Sequence, residues 1–231
     1  FADYGQRILP TSAGRTTMCP TELMYDETLP PSIRLLPIET RAEAQSTSDF
    51  KSQSQVWTVL PLDTSSADGM LEAFKQVSLT KRVPVEEAAR YGLYDETDLD
   101  MVIAVDDDGM VEISRWRHAI VNFPHPLLQQ GLVIIDTPGL NAIGTEPELT
   151  LNLIPNAHAV LFILAADTGV TKSDIDTWRN HIGGTGAGRM VVLNKIDSMW
   201  DELRSPAEVE QQIRCLLYTS DAADDMQCVD V

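Results

Sequence analysis

The segment Asp136-Thr137-Pro138-Gly139 has the residue types that hold a divalent cation beside a phosphate group. It directly follows the apolar run 131–135, which we predict to be a strand. Ligands of open α/β sheets bind beyond the carboxyl ends of the strands. A carboxylate at that place can hold Mg²⁺ through water, and Gly139 lets a backbone N–H approach a terminal phosphate. The alternative interpretation is a plain turn that ends the strand.

A second polar segment, Asn194-Lys195-Ile196-Asp197, follows the apolar run 190–193 in the same way. The Asp197 carboxylate can accept two hydrogen bonds from guanine, at the ring N–H and at the exocyclic amine, which adenine does not offer in that arrangement. A site built for such donors rejects analogues that lack them, because buried polar atoms would stay unpaired. We expect Asn194 to tie the loop together and the Lys195 stem to lie against the base. The alternative is a polar strand end followed by a turn.

The predicted strands and helices around these two segments indicate an α/β protein. The runs 131–135, 159–166 and 190–193 are continuously apolar, which is typical of strands buried on both faces of a parallel sheet. Between the last two we predict a helix capped by Ser173 and Asp176, and after them a helix that begins at 205–208. We therefore expect a mainly parallel sheet with helices on both faces. The strands near 132–136, 159–165 and 190–194 should be neighbours in it, and both polar segments should lie at the same edge.

The earlier part of the chain gives weaker signals. We predict a strand at 33–38, a helix over 69–91 interrupted at Pro84, and a strand at 116–123 that pairs antiparallel beside 132–136. Short runs at 101–105 and 110–113 flank Asp106-Asp107-Asp108-Gly109, which favours a hairpin with an Asp-Gly turn over a metal site. The region 46–114 is expected to be an insert with a solvated acidic face.

Composition narrows the function classes. The chain has 231 residues, 43% of them hydrophobic, and a net charge of −18. Such a surface repels polyanions, so we expect no nucleic-acid partner. Three cysteines without CxxC spacing favour neither a disulfide framework nor a structural zinc site. With no signal peptide visible, we expect a cytoplasmic location, with peripheral attachment at the inner membrane as an open alternative.

Together, the two polar segments resemble the DxxG and NKxD motifs of translation-factor-like GTPases. The resemblance narrows to bacterial dynamin-like large GTPases on three grounds: the Leu-Pro and Thr-rich segment 8–21, the order Asp-Thr-Pro-Gly-Leu at 136–140, and the segment 165–174 after a strand. The similarity covers roughly residues 7–40 and 115–214. It implies a P-loop-type GTPase fold, GTP or GDP and Mg²⁺ as ligands, and self-assembly as a homodimer or larger species.

The resemblance also assigns residue roles. Thr17, with Thr16 as the alternative, would be the switch threonine that meets Mg²⁺ and the attacking water, and Gly139 would act beside it in catalysis. Leu140 stands where Ras-like enzymes carry a water-orienting glutamine. Mg²⁺ would be held by Thr17 and, through water, by Asp136. The nucleotide-binding residues implied are Asp136, Thr137, Pro138, Gly139, Asn194, Lys195 and Asp197.

The sequence departs from the family in one respect, because the motif GxxxxGK followed by Ser or Thr is not in it. We therefore expect an incomplete domain at 1–214, without its first strand, phosphate loop and first helix. We expect 215–231 to be a non-native or disordered tail. The function implied is GTP hydrolysis in membrane remodelling or self-assembly, with membrane contact through regions outside this chain. The alternatives are an Era-like or septin-like GTPase, or a catalytically dead scaffold.

Overall fold

The computed structural model describes residues 19–94, 105–137, 153–200 and 205–221, with side chains up to 215 in the last range. The chain divides into two compact units, Phe1–Glu148 and Leu149–Val231. Each unit has its own secondary structure and its own core, and each is described by itself.

The first unit is built on a five-stranded sheet with a separate two-stranded ribbon. The sheet order is β3-β2-β6-β1-β7, and β4 pairs with β5 in the ribbon. The strands and helices of this unit are β1 (Thr21–Met24), β2 (Ser32–Pro37), α1 (Thr47–Phe50), β3 (Thr58–Pro61), α2 (Ala67–Val77), β4 (Thr80–Pro84), α3 (Val85–Arg90), β5 (Met110–Ser114), β6 (Trp116–Asn122), α4 (Pro126–Gln129) and β7 (Ile134–Asp136), with 3-10 turns at Ile38–Ala42 and Ser54–Val56.

Strand β6 is the centre of this sheet, and all seven of its residues are buried. It pairs parallel with β1 on one side and antiparallel with β2 on the other. Ala119 and Val121 point to a core that includes residues of α2, whereas Ile120 packs with Phe50 and Trp57. The prediction of helices on both faces is therefore met in this unit, and the predicted strands at 33–38 and 116–123 are confirmed.

Helix α2 shows how local sequence and packing agree. The Ser66 hydroxyl accepts a hydrogen bond from the Gly69 backbone N–H at 3.1 Å, which satisfies one of the free donors at the helix start. Met70, Phe74 and Val77 then fall on one face of the helix and are buried in the sheet core. Each such side chain contributes roughly 1.5–3 kcal/mol on burial.

The ribbon of β4 and β5 corrects two expectations. Residues 80–84, predicted as helix, form a strand, because Val83 packs with Val111 and Ile113 across the ribbon. The predicted Asp-Gly turn is confirmed: Gly109 has φ +73, and Asp106 accepts hydrogen bonds from the backbone of 108 and 110. The main partner of β5 is nevertheless β4, while Val105 makes one bridge and 101–104 lie outside the described residues.

The second unit contains a parallel pair of strands with helical segments beside it. Its elements are α5 (Ile154–Asn156), β8 (Ala159–Ala165), α6 (Lys172–Thr177), a π-helical turn (Trp178–Ile182), β9 (Gly188–Asn194), a 3-10 turn (Ile196–Met199) and α7 (Pro206–Asp221). The predicted cap of α6 lies two residues too late: Thr171 and Asp174 form the capping box. The predicted capping box of Ser205 and Glu208 is confirmed.

The predicted sheet architecture needs three corrections. The described pairing is mixed, because β1–β6 and β8–β9 are parallel while four other pairs are antiparallel. Strand β7 pairs with β1, which therefore lies between β7 and β6. Among the described residues, β8 and β9 form a two-stranded sheet of their own, and β7 belongs to the five-stranded sheet of the first unit, so the expected pairing of the three runs in one sheet is not found there. Apolar runs identify strands but do not specify their neighbours.

The apolar runs are also less buried than predicted. On β8 and β9, Phe162 and Leu164 are buried, whereas Leu161, Ile163 and Met190 are about 60% exposed. Helix α7 continues to Asp221, so the tail expected from 215 begins inside a helix. None of the described helices combines the length with the apolar character that a membrane span needs.

Candidate nucleotide-binding site

The first polar segment begins at the end of β7. Asp136 is the last residue of this strand and pairs in register with Thr21 of β1. Both Asp136 and Thr137 are exposed to solvent. Pro138, Gly139 and Thr17 lie outside the described residues, so their predicted roles stay predictions. The structure places the Asp136 carboxylate, exposed, at the carboxyl end of a strand, which is where ligands of α/β sheets bind.

The second polar segment forms a tightly tied loop at the end of β9. Lys195 has φ 56 and ψ 31, the left-handed conformation, and is the one non-glycine residue with positive φ in the described ranges. Its backbone N–H donates to Asn194 Oδ1 at 2.9 Å. Its carbonyl accepts from the Ser198 hydroxyl at 2.6 Å and from the Ser198 backbone N–H at 3.1 Å. Hydrogen bonds on both sides thus hold the strained residue.

The loop after β8 lies directly beside this one. Parallel pairing brings Ala165 opposite Asn194, and the next residue, Ala166, donates its backbone N–H to the Asn194 carbonyl at 2.9 Å. The side chain of Asp167 then meets Lys195, with Oδ2 at 3.1 Å from Nζ. The loops after β8 and β9 are therefore linked by one backbone hydrogen bond and one ion pair.

The loop after β9 is anchored by one buried side chain, that of Met199. Met199, 5% exposed, packs with Ala166 and with Val209 of α7. Its neighbours Ser198 and Trp200 are exposed, and so is Asp197, two residues before it. The Asp197 carboxylate is thus presented to solvent from a loop with a fixed backbone, as recognition of a base edge requires.

Sequence reasoning did not assign a role to Asp167. The available signal was its position just past the end of an apolar strand, where a parallel neighbour would bring it to the second polar segment. The glycine-rich stretch 183–188 carries no lysine, and its last residue, Gly188, is the first residue of β9. It joins the π-helical turn to β9, and Arg189 donates to the Gly183 carbonyl at 2.6 Å.

Comparison with known proteins identifies the family. The model of the dynamin family matches residues 4–196. This is most of the chain; it includes the segment 136–139 and the second polar segment up to Ile196, and it ends one residue before Asp197. The chain therefore belongs to the dynamin family, in agreement with the resemblance of its motifs.

Three curated relatives share a part of the chain. A bacterial dynamin-like protein of Nostoc punctiforme is 35% identical over 94 residues, which is 41% of this chain and 14% of the relative. Dynamin-like protein 2 of Campylobacter jejuni is 28% identical over 38% of this chain and 14% of its own length. The isoniazid-induced protein IniA of Mycobacterium tuberculosis is 38% identical over 31% of this chain and 12% of its own length.

Solved structures of an oligomerised bacterial dynamin pair, described as a mechanism for the long-range sensing and tethering of membranes, are also similar. The first has a TM-score of 0.46 and 13% sequence identity. The alignment covers 93% of this chain and 27% of the solved one. The second has the same TM-score and 12% sequence identity, and the alignment covers 96% of this chain and 33% of the solved one. The chain thus spans a third or less of the length of every relative described.

Proposed function

We propose that this chain supplies the guanine-recognition loop and part of the magnesium site of a dynamin-like GTPase that hydrolyses GTP. The proposal extends to a longer protein that includes a phosphate-binding loop, because the sequence here holds none. Membrane remodelling and self-assembly into dimers or larger species are part of the proposal. They rest on the family and on what is said of the relatives.

The observation that carries the proposal is the geometry of the loop after β9. Lys195 is held in a left-handed conformation by Asn194 and Ser198, and Met199 anchors the following turn. A loop fixed in this way presents the Asp197 carboxylate without further ordering on binding, which preserves affinity. Guanine offers that carboxylate two adjacent N–H donors.

Asp136 fits the proposed magnesium site by chemistry. It is a carboxylate exposed at the end of β7, and Mg²⁺ prefers oxygen ligands and keeps several of its waters. When bound, Mg²⁺ neutralises charge that develops on the phosphates during transfer. The proposed task of Asp136 is to hold water molecules of the ion, and that of Thr17 is to provide a direct oxygen ligand.

Asp197→Asn in the longer protein tests the proposal. Asparagine offers an N–H where xanthine has an oxygen, so the variant is expected to prefer XTP. We expect the kcat/KM ratio of GTP to XTP to fall by at least about a hundredfold, since sites built around hydrogen bonds discriminate strongly. The matched control is Asp176→Asn, an exposed aspartate on α6 of the same unit, which should leave the ratio unchanged.

The outcomes separate the possible explanations. An unchanged GTP to XTP ratio in Asp197→Asn would overturn the assignment of the base-binding loop. If wild-type protein binds GTP but Mg²⁺ does not stimulate hydrolysis, the protein is a scaffold rather than an enzyme. Asp136→Ala should raise the Mg²⁺ concentration needed for half-maximal hydrolysis without altering base preference.

A further inference from the structure

The ion pair between Asp167 and Lys195 joins two loops that belong to different strands. It lies one residue beyond the backbone hydrogen bond from Ala166 to Asn194, so strand register places it. The side chains are 41% and 57% exposed. An exposed pair of this kind contributes little to folding, because solvent screens it and two side chains must be ordered. Its contribution to the stability of the unit is therefore small.

The rest of Lys195 is already fixed. Its N–H and carbonyl are both hydrogen-bonded, and its φ and ψ are set. What stays free in such a residue is the four-carbon stem, which carries a mobile ammonium group. Asp167 restrains that group at the end of the stem. The stem is the part that, under the proposed function, lies against the guanine ring.

A second carboxylate lies close in sequence. Asp197 is two residues after Lys195, at the start of the same 3-10 turn, and is exposed. An ammonium group drawn to Asp197 would occupy the oxygens that the proposed function reserves for guanine. In the structure, Lys195 pairs with Asp167 instead. The pairing therefore holds the lysine stem in place and leaves the Asp197 carboxylate available to the base.

We infer that Asp167 is a positioning residue for guanine nucleotides: it holds the Lys195 ammonium away from Asp197 and fixes the lysine stem for contact with the base. This inference rests on the proposed function. It assigns no contact between Asp167 and the nucleotide, because its action passes through Lys195. It predicts an effect on base affinity and base selectivity rather than on the chemical step.

The test compares Asp167→Asn and Asp167→Glu with wild type in the longer protein. Asp167→Asn should raise the Kd for GDP and the KM for GTP by about two- to fivefold, the range expected for one exposed charge pair, with little change in kcat. It should also narrow the preference for GDP over inosine diphosphate, which lacks the exocyclic amine that Asp197 recognises. Asp167→Glu keeps the carboxylate, so its Kd, its KM and its preference for GDP should all lie close to the wild-type values.

The matched control is Glu210→Gln, which removes the exposed pair of Glu210 and Arg214 on α7, where the N–O distance is 2.8 Å. It should change neither Kd nor selectivity. If Asp167→Asn behaves like this control while Asp197→Asn shifts preference to XTP, the role of Asp167 is refuted and the proposed function stands. If Asp197→Asn shifts nothing, the proposed function itself fails. An equal loss in Asp167→Asn and Asp167→Glu, with lowered thermal stability in both, would show a structural role and overturn the inference.

Discussion

Replacing Glu22 by glutamine is expected to destabilise the first unit at neutral pH and to have little effect in acid. Glu22 lies on β1 and is 4% exposed. Its Oε1 accepts hydrogen bonds from His118 Nε2 at 3.0 Å and from Lys51 Nζ at 2.7 Å, and Lys51 also reaches Oε2 at 2.9 Å. Because the carboxylate can only accept, His118 Nε2 must carry a proton.

The magnitude follows from the pKa of Glu22. Burial acts to raise this pKa, but the hydrogen bonds from His118 and Lys51 and their charges outweigh burial and lower the pKa from 4.5 to about 2. One pKa unit corresponds to about 1.4 kcal/mol, so the ionised carboxylate contributes up to roughly 3 kcal/mol of stability. Since the folded pKa lies below the unfolded one, this contribution is complete above pH 4.5 and is lost as the pH falls towards 2.

The assay is urea unfolding at several pH values between 7 and 2.5, followed by tryptophan fluorescence. Trp57 is a suitable reporter, because its ring meets that of His118 edge-on at 6.4 Å and is only 6% exposed. Glutamine resembles the protonated carboxyl in shape and charge. Wild type and Glu22→Gln should therefore differ by roughly 2–3 kcal/mol at pH 7 and converge below pH 4.5.

The control is Glu39→Gln. Glu39 pairs with Lys81 at 2.7 Å, but its side chain is 58% exposed. Loss of a solvent-exposed pair should cost less than about 1 kcal/mol, so this variant should follow wild type at every pH. The reasoning is refuted if Glu22→Gln is as stable as wild type at pH 7, or if a difference at pH 7 persists unchanged at pH 2.5.

Three further predictions follow from packing, hydrogen bonding and the motifs present. Trp178→Ala should cost the second unit about 3–5 kcal/mol in thermal unfolding, because Trp178 packs edge-on against Phe162 at 5.4 Å, whereas Trp200→Ala, at an exposed position, should cost little. Asn122→Ala should lower urea stability by about 1–3 kcal/mol, since its buried Nδ2 donates to three backbone carbonyls between 26 and 30; equal stability would refute that role. The 231-residue chain alone should not bind a non-hydrolysable GTP analogue at micromolar concentration in calorimetry, because it carries no phosphate-loop motif; such binding would make the loop 183–188 a candidate phosphate site.

Local signals in the sequence were sufficient for several elements. The strand at 33–38, the capping box at Ser205 and the Asp-Gly turn at Gly109 depend on residues close together in the chain. The cap of α6 was misplaced because Thr171 with Asp174 and Ser173 with Asp176 both have the spacing of a capping box. The structure uses the first pair.

Long-range features could not be read in this way. The strand at Thr80–Pro84 contains Lys81 and Arg82, so its sequence lacks an apolar run, and only pairing with β5 makes it a strand. The ion pair of Asp167 with Lys195 likewise depends on the parallel register of β8 and β9. The family resemblance identified the motifs and their order along the chain. It did not identify the residues that contact each motif in the folded chain.

The conformation of Lys195 adds an argument that the motif alone does not contain. A left-handed conformation costs a non-glycine residue of order 1 kcal/mol or more, and glycine would adopt it at no steric cost. This strained backbone is held by the hydrogen bond that Lys195 N–H donates to Asn194 Oδ1 and by the one that its carbonyl accepts from Ser198. A strained lysine where glycine would fit better indicates that the side chain itself is needed at this place. Because its ammonium group is partly exposed and already paired with Asp167, the fold gains little from it. This supports the proposal that the lysine stem contacts a bound base, and it is a reason for resting the functional proposal on the loop after β9.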